Sequence, residues 1–412
     1  MKAKAIEFAK RSVRPIQNWC EERYSGMRYE SAHRVPAVKL SDNCAKRLNL
    51  VIPSLNTSEV YGGATTALNF AFTMQSQIGC ELRLLTLNEP YDIVEMVRKR
   101  CIDPQAETSV EWVSLSGSTV EVRKNDQFIA TYWSTALLCD DLIRRQRELY
   151  QYQHDSILIY LIQDYEPGFY PWSTEYAEAD RTYRLNLKTI AVFNSVQLKQ
   201  FFANRGYTFY RSYYFDPVIN EGLKKVLLNS DRTLKRKKQI LLYGRPLEYR
   251  NAFNLAIDGL RNLAILLGGD ARDWEVISLG AKHGDVRLPN GMKVRSLGKV
   301  TIEKYAEIML SSYAGLSLMI SPHPSYPPLE MSTFGVRTVT NNFEGKNLHK
   351  FNRNLTALDV YDAKTIAETL YEILADGEEG EIVKDGQYVE SRNVFEAIVM
   401  ACRDELDKVG NK

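Results

Sequence analysis

The chain has 412 residues, of which 44% are hydrophobic and 25% are charged, and its formal net charge is +2. This length is too great for one ordinary hydrophobic core and predicts two domains of roughly 150 to 200 residues. The near balance of charge argues against broad nucleic-acid binding, and no stretch approaches the roughly 20 apolar residues of a membrane-spanning helix.

The N-terminal region, residues 1–47, is basic, with eleven Lys and Arg against five Asp and Glu. Such an arm, interleaved with Trp19 and Tyr24, either meets anionic lipid headgroups or a pyrophosphate, or is a solvated arm packed on its domain. It has no apolar core of signal-peptide length, which predicts a cytoplasmic protein with at most peripheral contact at the inner face of the cell membrane. The cysteines include no C-x-x-C pair, which predicts reduced thiols rather than zinc sites or disulfides.

From residue 48 onward, short apolar runs alternate with longer helical patterns, which is the signature of parallel α/β layers. The first half is predicted to contain strands at 48–53, 81–87, 109–113, 127–133, 156–162 and 189–193, and helices at 65–76 and 135–151. The second half is predicted to contain strands at 240–243, 274–279, 293–297, 315–320 and 336–340, and helices at 252–267, from 301, and at 394–409.

A polar, basic stretch at 220–239 separates these two series and predicts the domain boundary. We predict a first Rossmann-like domain at 1–225, completed by a C-terminal helix within 390–412. The second Rossmann-like domain is predicted at 226–389.

Two adjacent glycines, Gly62 and Gly63, follow the first predicted strand and precede a predicted helix. Glycine lets a ligand approach the backbone, and the helix N-terminus behind it presents unpaired amides to a phosphate or sugar oxygen. A glycine pair also occurs simply to turn the chain. The sequence leaves both interpretations open.

A second group of candidate residues ends the strand predicted at 240–243. Tyr243 and Gly244 are followed by Arg245, and Arg250 opens the next helix. In open α/β sheets the ligand crevice lies at the carboxyl ends of the strands, where a guanidinium grips phosphate oxygens with two parallel hydrogen bonds. The two arginines therefore predict a diphosphate site, against the alternative that both are solvated.

A third group lies in a proline-rich loop and a short helix between residues 317 and 339. Glu330 stands near the predicted start of this helix, where a carboxylate either caps the helix or accepts both hydroxyl groups of a ribose. His323 follows a strand and lies between prolines, which places it either in the crevice or in a structural role.

These residues resemble the retaining GT-B glycosyltransferases of family 4, and the resemblance spans most of the chain. Gly244 and Arg245 match the Gly-Arg pair of the family's second domain, the Pro-Pro-Leu-Glu segment ending at Glu330 matches another of its motifs, and Arg250 stands where the family has lysine. The resemblance implies an α/β fold of two Rossmann-like domains facing each other across a cleft. It also implies that both arginines neutralise the diphosphate leaving group and that Glu330 binds the ribose.

The resemblance also implies a set of residues at the strand ends that contact the donor. They are Tyr243, Gly244, Arg245, Arg250, Gly298, Lys299, Leu329, Glu330 and Thr333 around the nucleotide, Gly62 and Gly63 in a glycine loop, and Arg245, Arg250, Asp164 and His323 at the reaction centre. One position departs from the family, because Pro322 stands where the family carries a first glutamate that faces the donor sugar. That departure leaves the sugar and part of the mechanism open.

Within the family, the pattern is most similar to bacterial rhamnosyltransferases of surface polysaccharide and S-layer glycan assembly. The implied reaction moves a rhamnosyl group from dTDP-L-rhamnose to a hydroxyl of a growing glycan, with retention of the anomeric configuration. The basic N-terminal arm is compatible with an acceptor glycan that is linked to a lipid. No cofactor or metal is predicted, because cations can stabilise the leaving group and Asp140 and Asp141 fall inside a predicted helix. A sugar-nucleotide 2-epimerase of the same fold and a non-catalytic nucleotide-sugar-binding subunit stay open as alternatives.

Overall fold

The computed structural model describes residues 36–55, 62–87, 108–112, 119–152, 156–230, 235–390 and 394–410. These residues form two compact units. The first contains the described residues up to Leu161, Leu185–Ile190 and those from Val399 onward, and the second contains Ile162–Arg184 and Ala191–Ile398. The domain limits predicted at 225 and 390 stay predictions.

The described strands are numbered in chain order. They are β1 (Ala37–Leu40), β2 (Arg47–Ile52), β3 (Glu81–Thr86), β4 (Thr108–Trp112), β5 (Thr119–Val122), β6 (Asp126–Ala130), β7 (Ile157–Ile162), β8 (Lys188–Phe193), β9 (Arg211–Tyr214), β10 (Lys237–Gly244), β11 (Glu275–Gly280), β12 (Val286–Arg287), β13 (Lys293–Gly298), β14 (Ser312–Leu316), β15 (Arg337–Asn341) and β16 (Leu355–Leu358).

The described α-helices are numbered in the same way. They are α1 (Gly62–Ile78), α2 (Trp133–Leu149), α3 (Thr174–Arg181), α4 (Val196–Asn204), α5 (Glu221–Asn229), α6 (Phe253–Leu267), α7 (Ile302–Ser311), α8 (Tyr326–Thr333), α9 (Ala363–Ala375) and α10 (Glu396–Gly410). Short 3-10 turns at Glu166–Phe169 and Tyr249–Asn251 matter for the site described below.

The sheet of the first half has the strand order β4-β3-β2-β6-β7-β8-β9. The pairings of β2 with β3 and β6, of β3 with β4, and of β6 with β7 are parallel. Every residue of β2 and β7 is buried, which explains the unbroken apolar sequence of β7; in β2 the buried Arg47 pairs with Asp126 and the buried Asn49 donates to the Gln127 carbonyl. Parallel strands covered on both faces are expected to have this composition.

The sheet of the second half has the order β12-β13-β11-β10-β14-β15-β16. Only β12 pairs antiparallel, with β13, and the remaining described pairings are parallel. One face packs against α6 and α9, where Gly259 allows a close approach because an added Cβ would lie 2.6 Å from Ile366 Cγ2. The other face packs against α5, α7 and α8 through residues such as Leu223, Met309 and Met331.

The parallel α/β architecture predicted from the sequence is confirmed, and each predicted strand has an observed counterpart. Two of these strands end earlier than predicted. The strand predicted at 127–133 ends at Ala130, because Thr135 Oγ1 accepts hydrogen bonds from the amides of Thr131 and Tyr132 and starts α2. The strand predicted at 315–320 ends at Leu316, because after one further bond from the Ser317 amide to the Val339 carbonyl the Met319 amide bonds to the Asn341 side chain and the Ile320 amide to the Arg250 carbonyl.

Candidate functional site

The candidate site lies at the carboxyl ends of β10 and β14 in the second sheet. These two strands are adjacent, yet the chain continues from β10 to β11 on one side and reaches β14 on the other. Such a reversal of strand order opens a crevice, because the connections leave the sheet in opposite directions. The segments that follow β10 and β14 carry Arg245, Arg250, His323 and Glu330, so the fold brings the predicted residues to one edge.

Glycines keep the ends of β10, β11 and β13 clear of side chains. A Cβ on Gly244 would collide with Ser278 Oγ, and a Cβ on Gly280, whose φ is +115°, would lie 2.8 Å from the Gly244 carbonyl oxygen. Gly298 also has a positive φ of +72°. Packing within the protein therefore requires glycine at these three strand ends, because a Cβ on Gly298 would likewise lie 3.1 Å from Lys282 Cβ. The ligand contacts that the resemblance implied for Gly244 and Gly298 stay predictions.

His283 borders this glycine-lined area. Its Nδ1 lies 2.8 Å from the Gly284 carbonyl oxygen, which only accepts, so Nδ1 carries the proton. Its Nε2 then accepts from Ser278 Oγ at 2.8 Å, and the ring packs edge-on against Phe253. Sequence analysis missed His283, since a lone histidine after a strand gives no signal of its partners.

The two arginines after β10 have different neighbours. Arg245 Nη2 donates to Glu248 Oε1 at 3.0 Å within the same turn. Arg250 Nη1 donates to Asp164 Oδ2 at 3.2 Å, its guanidinium lies 4.0 Å over the Phe169 ring, and its buried Nε has no hydrogen-bond partner among the described residues. Arg250 is therefore held in place by an ion pair and an aromatic contact, and its Nε makes no hydrogen bond to the described residues.

Asp164 is the centre of this polar cluster. It follows β7 and accepts hydrogen bonds from the Tyr165 amide at 2.8 Å and from Ser321 Oγ, in addition to the ion pair with Arg250. Ser321 Oγ also accepts from the His323 amide at 3.0 Å. The structure thus joins Asp164, Arg250 and His323, which the sequence analysis assigned separately to the reaction centre.

Two side chains hold the loop between β14 and α8 in place. Asn341, at the end of β15, accepts from the Met319 amide at 2.7 Å and donates to the Met319 carbonyl at 3.0 Å. Lys346 is fully buried and its Nζ donates to the same carbonyl at 2.6 Å. Burial lowers the pKa of Lys346 to about 7, against the opposing attraction of Asp164. A single lysine in a polar turn gave no sequence signal of this burial.

His323 is buried in the same loop and its tautomer follows from its contacts. The Ser325 amide donates to Nδ1 at 3.0 Å, so the proton of the neutral ring is on Nε2. Nε2 is buried and has no hydrogen-bond partner among the described residues. Burial, with Lys346 and Arg250 nearby, lowers the pKa of His323 to about 4 despite the attraction of Asp164. His323 is therefore a neutral N–H donor with a structural bond on its other nitrogen.

Glu330 lies in the second turn of α8 and is partly buried, near Tyr305 of α7 and Tyr243 of β10. Desolvation raises its pKa to about 7, and the nearby Tyr305 hydroxyl opposes part of this rise. Within the described ranges no cation pairs with the carboxylate. The helix-capping alternative is wrong, because α8 has no acidic residue in its first turn and a cap would lower the pKa.

The remaining predicted positions lie as follows. Leu329 and Thr333 are buried in α8, Lys299 is exposed directly after β13, and Gly62 and Gly63 begin α1 in the first unit. Asp140 and Asp141 lie inside α2, as predicted, and Asp141 pairs there with Arg144 and Arg145.

Among the described residues, no group of three or more His, Cys, Asp and Glu side chains is arranged to hold a metal ion. No helix in the same part of the chain combines the length and apolar character needed to cross a membrane.

Comparison with known sequences places two family models on the chain. The model of the WsaF N-terminal domain matches residues 47–196, and the model of the WsaF C-terminal domain matches residues 238–371. The O-antigen biosynthesis protein RfbC of Myxococcus xanthus is 28% identical over 287 residues, which are 68% of this chain and 21% of that protein. The chain thus spans only about a fifth of this relative.

Several solved structures share this fold at low sequence identity. Sucrose-phosphate synthase from Thermosynechococcus elongatus has a TM-score of 0.54 at 11% identity, covering 89% of this chain and 99% of the other. The lipopolysaccharide outer core galactosyltransferase WaaB gives 0.54 at 11% identity, with coverages of 88% and 99%. The pneumococcal O-GlcNAc transferase GtfA, solved with UDP and GlcNAc, gives 0.54 at 8% identity, with coverages of 90% and 100%. The chain has the GT-B fold of glycosyltransferases and belongs to the WsaF family.

Proposed function

We propose that this protein transfers a sugar from a nucleoside diphosphate to a hydroxyl group of a growing surface glycan. The observation that carries the proposal is the combination of two arginines and one partly buried glutamate, without a cation partner among the described residues, at the strand-order reversal between β10 and β14. Two cations suit a diphosphate, and a carboxylate without a cation partner suits two ribose hydroxyls. The family and the name of the Myxococcus relative support surface glycans as the product class.

In the proposed reaction, Arg245 and Arg250 stabilise the negative charge that develops on the departing diphosphate. Glu248 and Asp164 hold the two guanidinium groups in position before the reaction. The arginine side chains therefore reorganise little when the bond to the sugar breaks. Leaving-group stabilisation by side chains makes the transfer independent of a metal ion. Retention of the anomeric configuration is part of the proposal through the resemblance to family 4.

The proposed donor is dTDP-L-rhamnose, through the resemblance to bacterial rhamnosyltransferases. The acceptor is proposed to be a lipid-linked glycan at the inner face of the cell membrane. His323 and Asp164 are the proposed contacts near the transferred sugar, because both adjoin Arg250 and His323 carries an unpartnered N–H within the described residues.

A thermal-shift panel of dTDP, UDP and GDP tests the nucleotide site, since a ligand that binds only the folded state raises the unfolding temperature. We expect selective stabilisation by dTDP, and equal stabilisation by all three would refute the donor assignment. A product assay with dTDP-L-rhamnose and an acceptor glycan then separates transfer from 2-epimerisation, which changes the sugar nucleotide without an acceptor. Binding without either product would favour a non-catalytic subunit.

A further inference from the structure

Three large apolar side chains stand out by their exposure. Trp172, Leu247 and Tyr249 are 93%, 91% and 86% exposed, and the next in the described part of the chain, Val360, reaches 65%. A clustered set of exposed apolar groups on a soluble surface marks a binding site more often than a scattered one does. These three belong to only two short segments, 170–173 and 246–249.

Both segments lie beside Arg250. The 3-10 turn Glu166–Phe169 directly precedes the segment of Trp172, and the Phe169 ring lies 4.0 Å from the Arg250 guanidinium. Leu247 and Tyr249 lie within three positions of Arg250 in the chain. The contact between Phe169 and Arg250 therefore joins the two turns whose neighbouring residues are exposed, and Arg250 is where the sugar is proposed to leave the diphosphate.

Each segment is held rigidly, so the exposure does not come from a loose loop. Tyr165 is buried among Tyr183, Phe201 and Phe202 and anchors the turn before Trp172, and the Trp172 ring packs 6.4 Å from that of Tyr176. On the other segment, backbone hydrogen bonds join Glu248 to Arg245, Asn251 to Glu248, and Ile320 to Arg250. Apolar side chains that stay exposed to solvent on well-packed segments suggest a ligand that covers them.

Charge distinguishes the possible ligands. Residues 163–176 contain Asp164, Glu166 and Glu175 and no Lys or Arg, and the Arg245 guanidinium is paired with Glu248. An anionic bilayer is attracted by clustered basic residues, which these segments lack. A sugar ring is neutral, carries C–H bonds on one face and hydroxyl groups around its rim, and so matches an aromatic ring bordered by polar and acidic groups.

We propose that Trp172 and Tyr249, with Leu247 beside them, form the binding platform for a sugar ring of the acceptor glycan. This proposal rests on the proposed function and adds the acceptor subsite to it. The acceptor sugar stacks on these rings next to Arg250, which places its hydroxyl groups near the donor site.

The first test measures transfer kinetics of Trp172→Ala and Tyr249→Ala with a glycan acceptor. We expect the acceptor KM to rise about tenfold, the size of one lost aromatic stack, with kcat and stabilisation by the nucleoside diphosphate unchanged. Trp172→Phe should restore most of the acceptor binding. Ile265→Ala removes another exposed apolar side chain, 59% exposed on α6, and should leave the KM unchanged. An unchanged acceptor KM in both alanine variants overturns the proposal.

The second test needs no transfer activity. Labelled wild-type protein and Trp172→Ala are applied to an array of bacterial surface oligosaccharides and to vesicles containing phosphatidylglycerol. Glycan binding that is lost in the variant supports the platform, whereas no glycan binding, or vesicle binding that depends on Trp172, overturns it. Glycan binding that depends on Trp172, without transfer from any nucleotide sugar, would sink the proposed function and leave the platform standing.

Discussion

Replacing Glu330 by glutamine should stabilise the protein and weaken nucleotide binding at once. Burial raises the pKa of Glu330 from 4.5 to about 7. A raised carboxyl pKa means that the folded state favours the protonated form. The stability that the protonated carboxyl contributes is therefore fully present below pH 4.5 and is lost as the pH rises through 7. At about 1.4 kcal/mol per pKa unit, the ionised carboxylate costs at most about 3.5 kcal/mol at pH 8, and Glu330→Gln removes that cost.

The effect on the ligand has the opposite sign. If the carboxylate accepts the ribose hydroxyls, its ionised form is the one that binds, and affinity for a nucleotide sugar should increase between pH 6 and pH 8. Losing a hydrogen bond to a charged group costs about 1.5 to 3 kcal/mol, which is roughly a 10- to 100-fold weaker Kd in Glu330→Gln at pH 8. The variant should also lose this part of the pH dependence.

Two measurements separate the effects: chemical denaturation without ligand, and calorimetric titration with a nucleotide sugar, whose diphosphate does not titrate near pH 7. The control is Glu372→Gln, an exposed glutamate on α9 for which neither property should change. Lys346 titrates in the same range, and the difference between wild type and Glu330→Gln isolates the glutamate. A variant that is less stable than wild type, or that binds equally well at pH 8, would refute this reasoning.

Three further predictions concern the rest of the proposed site and its chemistry. Arg250→Ala should weaken dTDP binding about 10- to 100-fold by calorimetry, while Arg261→Ala on the surface of α6 leaves it unchanged; equal losses would argue for bulk charge alone. Long-range proton–nitrogen NMR should show His323 neutral with its proton on Nε2 down to pH 5, and His283 with its proton on Nδ1; a His323 titration near pH 6.5 would contradict the burial argument. Transfer should persist in excess EDTA, and a loss restored by Mg²⁺ would disprove metal independence.

The sequence by itself determined the architecture and the residues of the proposed nucleotide site. Strands covered on both faces have apolar sequences regardless of their partners, so β7 and β10 were recognisable without knowing their neighbours. Arg245 and Arg250 were predicted because they come soon after such a strand, where parallel sheets bind ligands. Glu330 was predicted from the short helix after the proline-rich loop and from the Pro-Pro-Leu-Glu motif. The shortest strands were missed because two to four residues carry no usable periodicity; they are β1, β5, β9, β12 and β16.

Only the tertiary structure decided how the site residues act. Asp164 meets Arg250 across 86 positions of the chain and Ser321 across 157, and no local pattern encodes such a pair. The protonation of His323, Lys346 and Glu330 depends on burial and on the charges nearby, which exist only after the chain has folded. Sequence fixes which groups reach the edge of the sheet, whereas packing sets their charge, their partners and the atoms left available for a ligand.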